Sequence, residues 1–370
     1  SGAVFKDRMK NAGAIFCSHS TNAVREMCQA GCILENGILT YYSDVEEAIE
    51  RHTFNMVGTT TSSGKPPKSK AVAVEPDAAE ASEFPADARM LYVIGAQHAG
   101  SQWLLDYLRR NRACHFTSNK EVHYFDIMAG HAQDVLRRRQ KTLRELAGRV
   151  QVDKAETNSN SLRLLGEVIG LLSMYEKSAE GAPPHRAYQE YMLKERHRQS
   201  VVCDVTPTYA YLTAPMFAEM AAIGAARFVF LLRNPVDRLW AQICASFPTG
   251  RLSDAERLDA CAKAAQRMIA DGNLASQLAV DYERTLTELD AVVPADRIKV
   301  LFYEQLFQQD TMDDLCALLQ INPRPVDPAP SLANDVALPD DLAAALRQAL
   351  APQYDAARKR FGDALPQGWA

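Results

Sequence analysis

The stretch MLYVIGAQHAGSQWLLDYLRRN, residues 90–111, decides how the chain is read. A short apolar run ends at Gly95, Gly100 follows, and an amphipathic pattern of helical period begins. Strand, glycine-bracketed turn and helix N-terminus together make a phosphate-binding layout, because backbone N–H groups and the helix dipole both point at an anion. The spacing fits G-x-x-x-x-G-K-[ST], yet Ser101 and Gln102 stand where an ATP-binding loop carries Lys and Ser or Thr. A phosphoryl-transfer enzyme of the P-loop kinase type is disfavoured, since neither the loop Lys nor an evident Mg²⁺-binding Asp is present.

Working outward, strands and helices alternate from Arg89 onward, which predicts an α/β fold with a central parallel sheet flanked by helices. The expected strands are MLYVIG, SVVCDVTP, ARFVFLL and RIKVLFYEQL. A helix is expected over APMFAEMAAIG, and Asn234-Pro235-Val236-Asp237 reads as the start of another, with Pro in the first turn. Residues 130–200 read as largely helical and charged, and residues 340–362 as a final helix. Toward the N-terminus, residues 1–57 form a small α/β pattern, in which Asn36-Gly37 between two apolar runs predicts a hairpin. Residues 58–87 are rich in Gly, Ser, Thr, Pro and Ala and read as a flexible linker to a domain at 88–370.

The net charge of -5 argues against a nucleic-acid partner, while leaving room for a local basic pocket. No apolar run is long enough for a transmembrane helix, and no basic-then-apolar leader is visible. The eight cysteines are scattered without a C-x-x-C, so they read as reduced thiols in a cytoplasmic protein, with no metal site.

Several ordered segments carry a resemblance. Beyond the loop, these are NKEVHYFD (119–126), DVTPTYA (204–210), LLRNPVDRLWAQI (231–243), VLFYEQLFQQD (300–310) and the ending FGDALPQGW. From residue 89 onward the chain resembles the sulfotransferases that use 3'-phosphoadenylyl sulfate (PAPS), closest to the bacterial branch and the heparan sulfate glucosaminyl sulfotransferases. Residues 1–57 resemble instead the end of an ABC-transporter ATPase of the polysaccharide-export type, with His19 at its switch histidine. The segments that would bind ATP do not precede them in this sequence.

The sulfotransferase resemblance implies roles. Gly95 and Gly100 bracket the 5'-phosphosulfate loop, and the amides of Gly100, Ser101, Gln102 and Trp103 would cradle the donor. Glu121 matches the family's base, with His123 as a rival by analogy with the cytosolic enzymes. Arg233 matches the 3'-phosphate arginine, since guanidinium fits phosphate bidentately.

Two positions depart from the pattern. His98 stands where the family has Lys or Arg, and an imidazole supplies a cation only when protonated, near pH ~6.5 unless a bound polyanion favours the charge. Lys120 is the alternative cation. Ala241 replaces a phosphate-binding Ser, a loss of about 1.5–3 kcal/mol. Arg238 either compensates or is an exposed helix charge. Trp240 reads as core packing, and Trp103 fits either core or an adenine platform. The basic runs within 130–200 are either solvated faces or contacts for an anionic acceptor.

The expectation is therefore a PAPS-dependent, metal-free transfer of sulfonate to a hydroxyl of a glycan or other acceptor, in association with polysaccharide-export machinery. The competing expectation is a degenerate module that binds nucleotide or glycan without turnover.

Overall fold

The computed structural model describes residues 84–149, 155–179, 184–250, 252–272, 274, 281–328 and 336–369, together with parts of 21–50. The chain packs as two units, one formed by residues 1–81 with 134–180, the other by 82–133 with 181–370. The sequence reading drew one domain at 88–370; the packing instead groups 134–180 with the N-terminal part.

Within the first unit, β1 (Gly31–Glu35) and β2 (Ile38–Tyr42) pair antiparallel, with Glu35 opposite Ile38. This is the hairpin expected around Asn36-Gly37. The ATPase-like reading of 1–57, its switch histidine included, and the linker reading of 58–87 fall largely outside the described residues. The unit also holds two long helices, which belong to the sequence's charged helical region.

The second unit is the α/β fold. Its sheet has the order β4-β5-β3-β6-β7, built from β3 (Arg89–Gly95), β4 (Cys114–Phe116), β5 (Val201–Val205), β6 (Arg227–Leu232) and β7 (Ile298–Phe302). Every pairing is parallel. The four strands expected from sequence are all present. The fifth, β4, has three residues, CHF, too few for a periodic signal. β3 lies in the middle, and Met90 through Ile94 have no exposed surface. A strand covered on both faces reads as a continuous apolar run rather than an alternating one.

Helices α1 (Ser101–Arg109), α2 (Tyr124–Met128), α3 (Gln133–Arg149), α4 (Ala155–Ala179), α5 (Arg186–Leu193) and α6 (Ala214–Ala221) follow in chain order. Then come α7 (Pro235–Ala245), α8 (Asp254–Ala270), α9 (Tyr282–Asp290) and α10 (Gln309–Leu319). The single helix expected at 340–362 is two, α11 (Asp340–Ala349) and α12 (Ala351–Phe361). Leu350, at φ -97 and ψ 8, leaves the helical region, and Pro352 occupies the first turn of the new helix, where its missing N–H costs nothing.

A parallel sheet gathers its carboxyl ends on one edge, and binding loops collect there. Four segments meet in this way: the turn after β3, the 3-10 turn Pro207–Tyr211 after β5, the Arg233-Asn234 corner after β6, and Tyr303 after β7. Gly95 makes this convergence possible. Its φ is +142, and a Cβ there would sit 2.6 Å from the Pro207 carbonyl oxygen and 2.9 Å from the Ala210 Cβ. Backbone cannot yield as a side-chain tip can. Gly95→Ala is therefore expected to destabilise the fold by about 2–4 kcal/mol, read as a lower urea midpoint. Gly100→Ala, whose nearest contact is the Leu306 methyl, should cost less.

Candidate active site

The turn after β3 has little internal structure to hold it. His98 (φ 63) and Gly100 (φ 94) both lie in the left-handed region. Its anchors come from the neighbouring strand end. The Ala96 N–H donates to the Leu231 carbonyl at 2.7 Å. Arg233 Nη1 donates to the His98 carbonyl at 3.0 Å, and Arg238 Nη1 lies 3.5 Å from the Gln97 carbonyl. Gly100 caps α1 through its backbone alone, with no side chain bonded to the first turn. The N–H groups of that turn therefore remain available to a ligand.

An open cavity of about 650 Å³ lies against this helix start. His98, Gly100, Ser101, Gln102 and Trp103 form one wall. Arg233, Ala241 and Tyr303 contribute from the ends of β6 and β7 and from α7. The Arg233 guanidinium, whose residue is 9% exposed, lies 4.6 Å from the centre of the Tyr303 ring. Trp103 is half-buried, stacked on Tyr107 at 5.7 Å and edge-on to Phe307 at 5.0 Å, so it is packed and cavity-facing at once.

The corner that presents Arg233 is fixed on every side. Asn234 accepts from the Val236 N–H as helix cap, its own N–H donates to Glu304 at 2.8 Å, and its amide donates to the Gly368 carbonyl at 2.9 Å. Tyr282 Oη donates to the Arg233 carbonyl at 2.9 Å. The ending FGDALPQGW thus serves as an anchor, with Trp369 fully buried against Phe302 and Tyr282.

Two residues, Gly95 and Arg238, stand elsewhere than the sequence suggested, while Trp240 stands in the core as expected. Gly95 is buried behind the cavity as a backbone pivot. Arg238 is not an exposed helix charge: it is fully buried, donates to Gln242 at 3.0 Å, and braces the turn rather than lining the cavity. Trp240 is core, its indole N–H donating to the Val336 carbonyl.

Lys120 and Glu121 form the adjacent group. Lys120 Nζ donates to Gln102 Oε1, and Gln102 Nε2 donates to both Asp106 oxygens at 3.0 Å. Glu121 (φ 56) and His123 (φ 55) are both left-handed, which points their side chains away from a regular turn. Glu121 Oε2 lies 3.4 Å from His123 Nε2, and His123 Nδ1 lies 2.7 Å from Asp126 Oδ2. Thr208, from the turn after β5, donates to that same Asp126 oxygen and sits 3.1 Å from His123 Nδ1. Burial lowers the His123 pKa, but hydrogen bonds and charge from Asp126 and Glu121 outweigh it and raise the value to about 9. His123 is therefore an imidazolium at neutral pH, and Glu121, about one third exposed, is the more accessible carboxylate of the set.

The sequence singled out neither Asp126, Thr208 nor Tyr303, although each lies inside a segment it had marked. Asp126 stands three residues after His123 in the same motif, and that spacing was the available signal.

The raised His123 value has a sign. Its stabilisation is complete below the ordinary value near 6.5 and is lost as pH rises through about 9. The stability gap between the wild type and His123→Gln should narrow between those limits, by up to ~3 kcal/mol, in chemical unfolding followed at several pH values.

Residues 91–325 match the family model described as the sulfotransferase family. A sulfotransferase from Alicyclobacillus acidocaldarius is similar at 18% identity, with 75% of this chain and 97% of that one covered and a TM-score of 0.45. The sulfotransferase domain of the curacin biosynthetic pathway is similar at 12% identity, over 74% and 97% of the two chains, with a TM-score of 0.40. That of the Synechococcus PCC 7002 olefin synthase is similar at 15% identity, over 77% and 99%, with a TM-score of 0.36. No curated protein matches the sequence significantly. The family match spans both the cavity at the start of α1 and the Glu121–His123–Asp126 group, and the chain belongs to the sulfotransferase family.

Proposed function

We propose that the protein transfers sulfonate from PAPS to a hydroxyl of a glycan or other acceptor. The observation that carries this reading is the meeting, on one cavity, of an uncapped helix start and the Arg233 guanidinium, with Lys120 tied to that helix through Gln102. The cavity volume of about 650 Å³ is in the range of nucleotide-sized ligands. The donor set suits a phosphate at each end: amides of residues 100–103 for the 5' side, Arg233 for the 3' side, and Tyr303 and Trp103 as apolar walls.

When bound, PAPS supplies the activated sulfonate. The acceptor oxygen forms the new S–O bond, the bond from sulfur to the bridging oxygen breaks, and Glu121 takes the acceptor's proton. Imidazolium His123 orients Glu121 through its Nε2 contact, and Asp126 with Thr208 fixes the imidazole from the other side. His98, exposed at the cavity mouth and cationic when protonated, and Lys120, bonded to Gln102 of the cavity wall, are the candidates to meet the charge on the departing oxygen.

One observation favours a second reading, a module that binds without turnover. Ala241 lines the cavity where the family pattern places a Ser hydroxyl, so the 3' side lacks a donor.

Calorimetry tests the nucleotide site that both readings share. Adenosine 3',5'-bisphosphate should bind at least about tenfold tighter than adenosine 5'-monophosphate, and Arg233→Ala should erase the difference. Ala241→Ser should tighten the bisphosphate by about tenfold. Equal affinities for the two nucleotides in the wild type would sink the donor assignment.

Catalysis is tested separately. Glu121→Gln should lower the rate of labelled sulfonate transfer by about 100-fold or more, with bisphosphate affinity changed less than about twofold. Binding that persists with no transfer by the wild type, across a broad acceptor panel, supports the module reading.

A further inference from the structure

Asp204 lies at the end of β5, is 1% exposed, and carries no role in the site as described. Hydroxyls hold both its oxygens. Thr206 Oγ1 donates to Oδ1 at 2.6 Å, while Tyr188 Oη and Tyr209 Oη donate to Oδ2 at 2.8 and 2.9 Å. Burying a carboxylate is costly, and it persists only where such donors compensate. Burial pushes its pKa up, and the three hydroxyls pull against that shift.

What the two tyrosines touch next gives the carboxylate a purpose. Tyr209 Oη accepts the Tyr124 N–H at 3.0 Å. That N–H opens α2, immediately after His123. Tyr188 stacks on the Tyr124 ring, with centroids 4.5 Å apart and planes 19° apart. One carboxylate therefore orients both groups that clamp Tyr124. The direction of the bonds matters: because Tyr209 gives its only proton to Asp204, its lone pairs face the Tyr124 amide. The same 3-10 turn, Pro207–Tyr211, also presents Thr208 to Asp126 and His123.

We infer that Asp204 and Tyr209 are positioning residues of the acid–base group, holding the start of α2 so that His123 keeps its contact with Asp126 on one side and Glu121 on the other. Neither touches the reacting atoms. The inference rests on the acid–base assignment made above for Glu121 and His123. The groups facing His123 are Glu121 and Asp126 from its own segment and the Thr208 hydroxyl from the turn after β5.

The test is the titration of the His123 imidazole by NMR in ligand-free protein, assigned with His123→Gln. Tyr209→Phe keeps the ring and removes the bond to Tyr124. It should move the midpoint down from about 9 toward 6.5, by about one unit, as the Asp126 contact loosens. Tyr188→Phe keeps the stack on Tyr124 and should shift it far less. Transfer assays should show kcat reduced roughly ten- to hundredfold in Tyr209→Phe, with bisphosphate affinity unchanged.

A merely structural role predicts otherwise: both variants lose thermal stability alike and the midpoint stays where it was. That result would overturn the inference. Should the Tyr209→Phe chain not fold, Asp204→Asn asks the same question, and an unmoved midpoint there counts equally against it. Because the titration needs neither donor nor acceptor, a shifted midpoint in a protein that transfers no sulfonate leaves the positioning network standing and removes the catalytic reading instead.

Discussion

The bond from the Arg233 guanidinium to the His98 carbonyl joins the ends of two adjacent parallel strands, and the site depends on it. The turn between Gly95 and Gly100 is weakly held from within, by a 3.3 Å bond from the Ala99 N–H to the Ala96 carbonyl, and both glycines and His98 sit at positive φ. It is held from outside, by Arg233 at His98 and by Arg238 beneath Gln97. Both guanidiniums thereby lie close to a helix start that already favours negative charge. One pair of contacts shapes the loop and sets its electrostatics. Arg238 is buried with a carbonyl oxygen 3.5 Å from one terminal nitrogen and the Gln242 amide oxygen 3.0 Å from the other, and its Nε has no partner among the described residues.

A second charged assembly lies beside the first and is arranged differently. Glu121 and Asp126 flank His123, so two carboxylates share one imidazolium, and Lys120 stands 3.9 Å from Glu121. Gln102 links the two assemblies. Its carbonyl oxygen accepts from Lys120 while its amide donates to Asp106. A Ser or Thr at this position could not span both partners, because a hydroxyl reaches only one bond length from Cβ. The side chain that breaks the ATP-loop pattern is the one that carries Lys120 to the cavity wall.

Much of this was legible in the sequence because it rests on local pattern. Buried parallel strands write themselves as apolar runs, which is why β3, β5 and β6 were readable; the edge strand β7, half-buried over residues 298–300, was readable from its β-rich composition, and the three-residue β4 was not. The loop layout was readable from its glycine spacing, while Glu121 and Arg233 were marked by the resemblance of their segments to the sulfotransferases. What was not legible required knowing which side chains cross between strands. Arg238 looks like a helix-surface charge until the Gln97 carbonyl is placed above it. The break at Leu350 was missed because the apolar period continues across it, although Pro352 marked the place. The grouping of 134–180 apart from the sheet depends on long-range packing, which amphipathic pattern alone does not encode.

The short helix that carries Asp126 shows why such crossing contacts are polar. α2 has five residues, barely more than one turn, and enters through two left-handed residues separated by Val122. A helix this short gains almost nothing from its own hydrogen bonds, because nucleation costs more than one turn returns. Apolar packing alone would keep Tyr124 and Phe125 buried while leaving the segment able to slide or rotate, since dispersion contacts have little directional preference. A bond to the first N–H of the helix has a direction and removes that freedom. Tyr209 supplies it, and the hydroxyl can do so only if its proton is committed elsewhere. Asp204 is the group that commits it. A buried carboxylate on β5, with no ion-pair partner among the described residues, is thus accounted for by geometry: it fixes the polarity of a hydrogen-bond chain whose far end is the backbone next to His123.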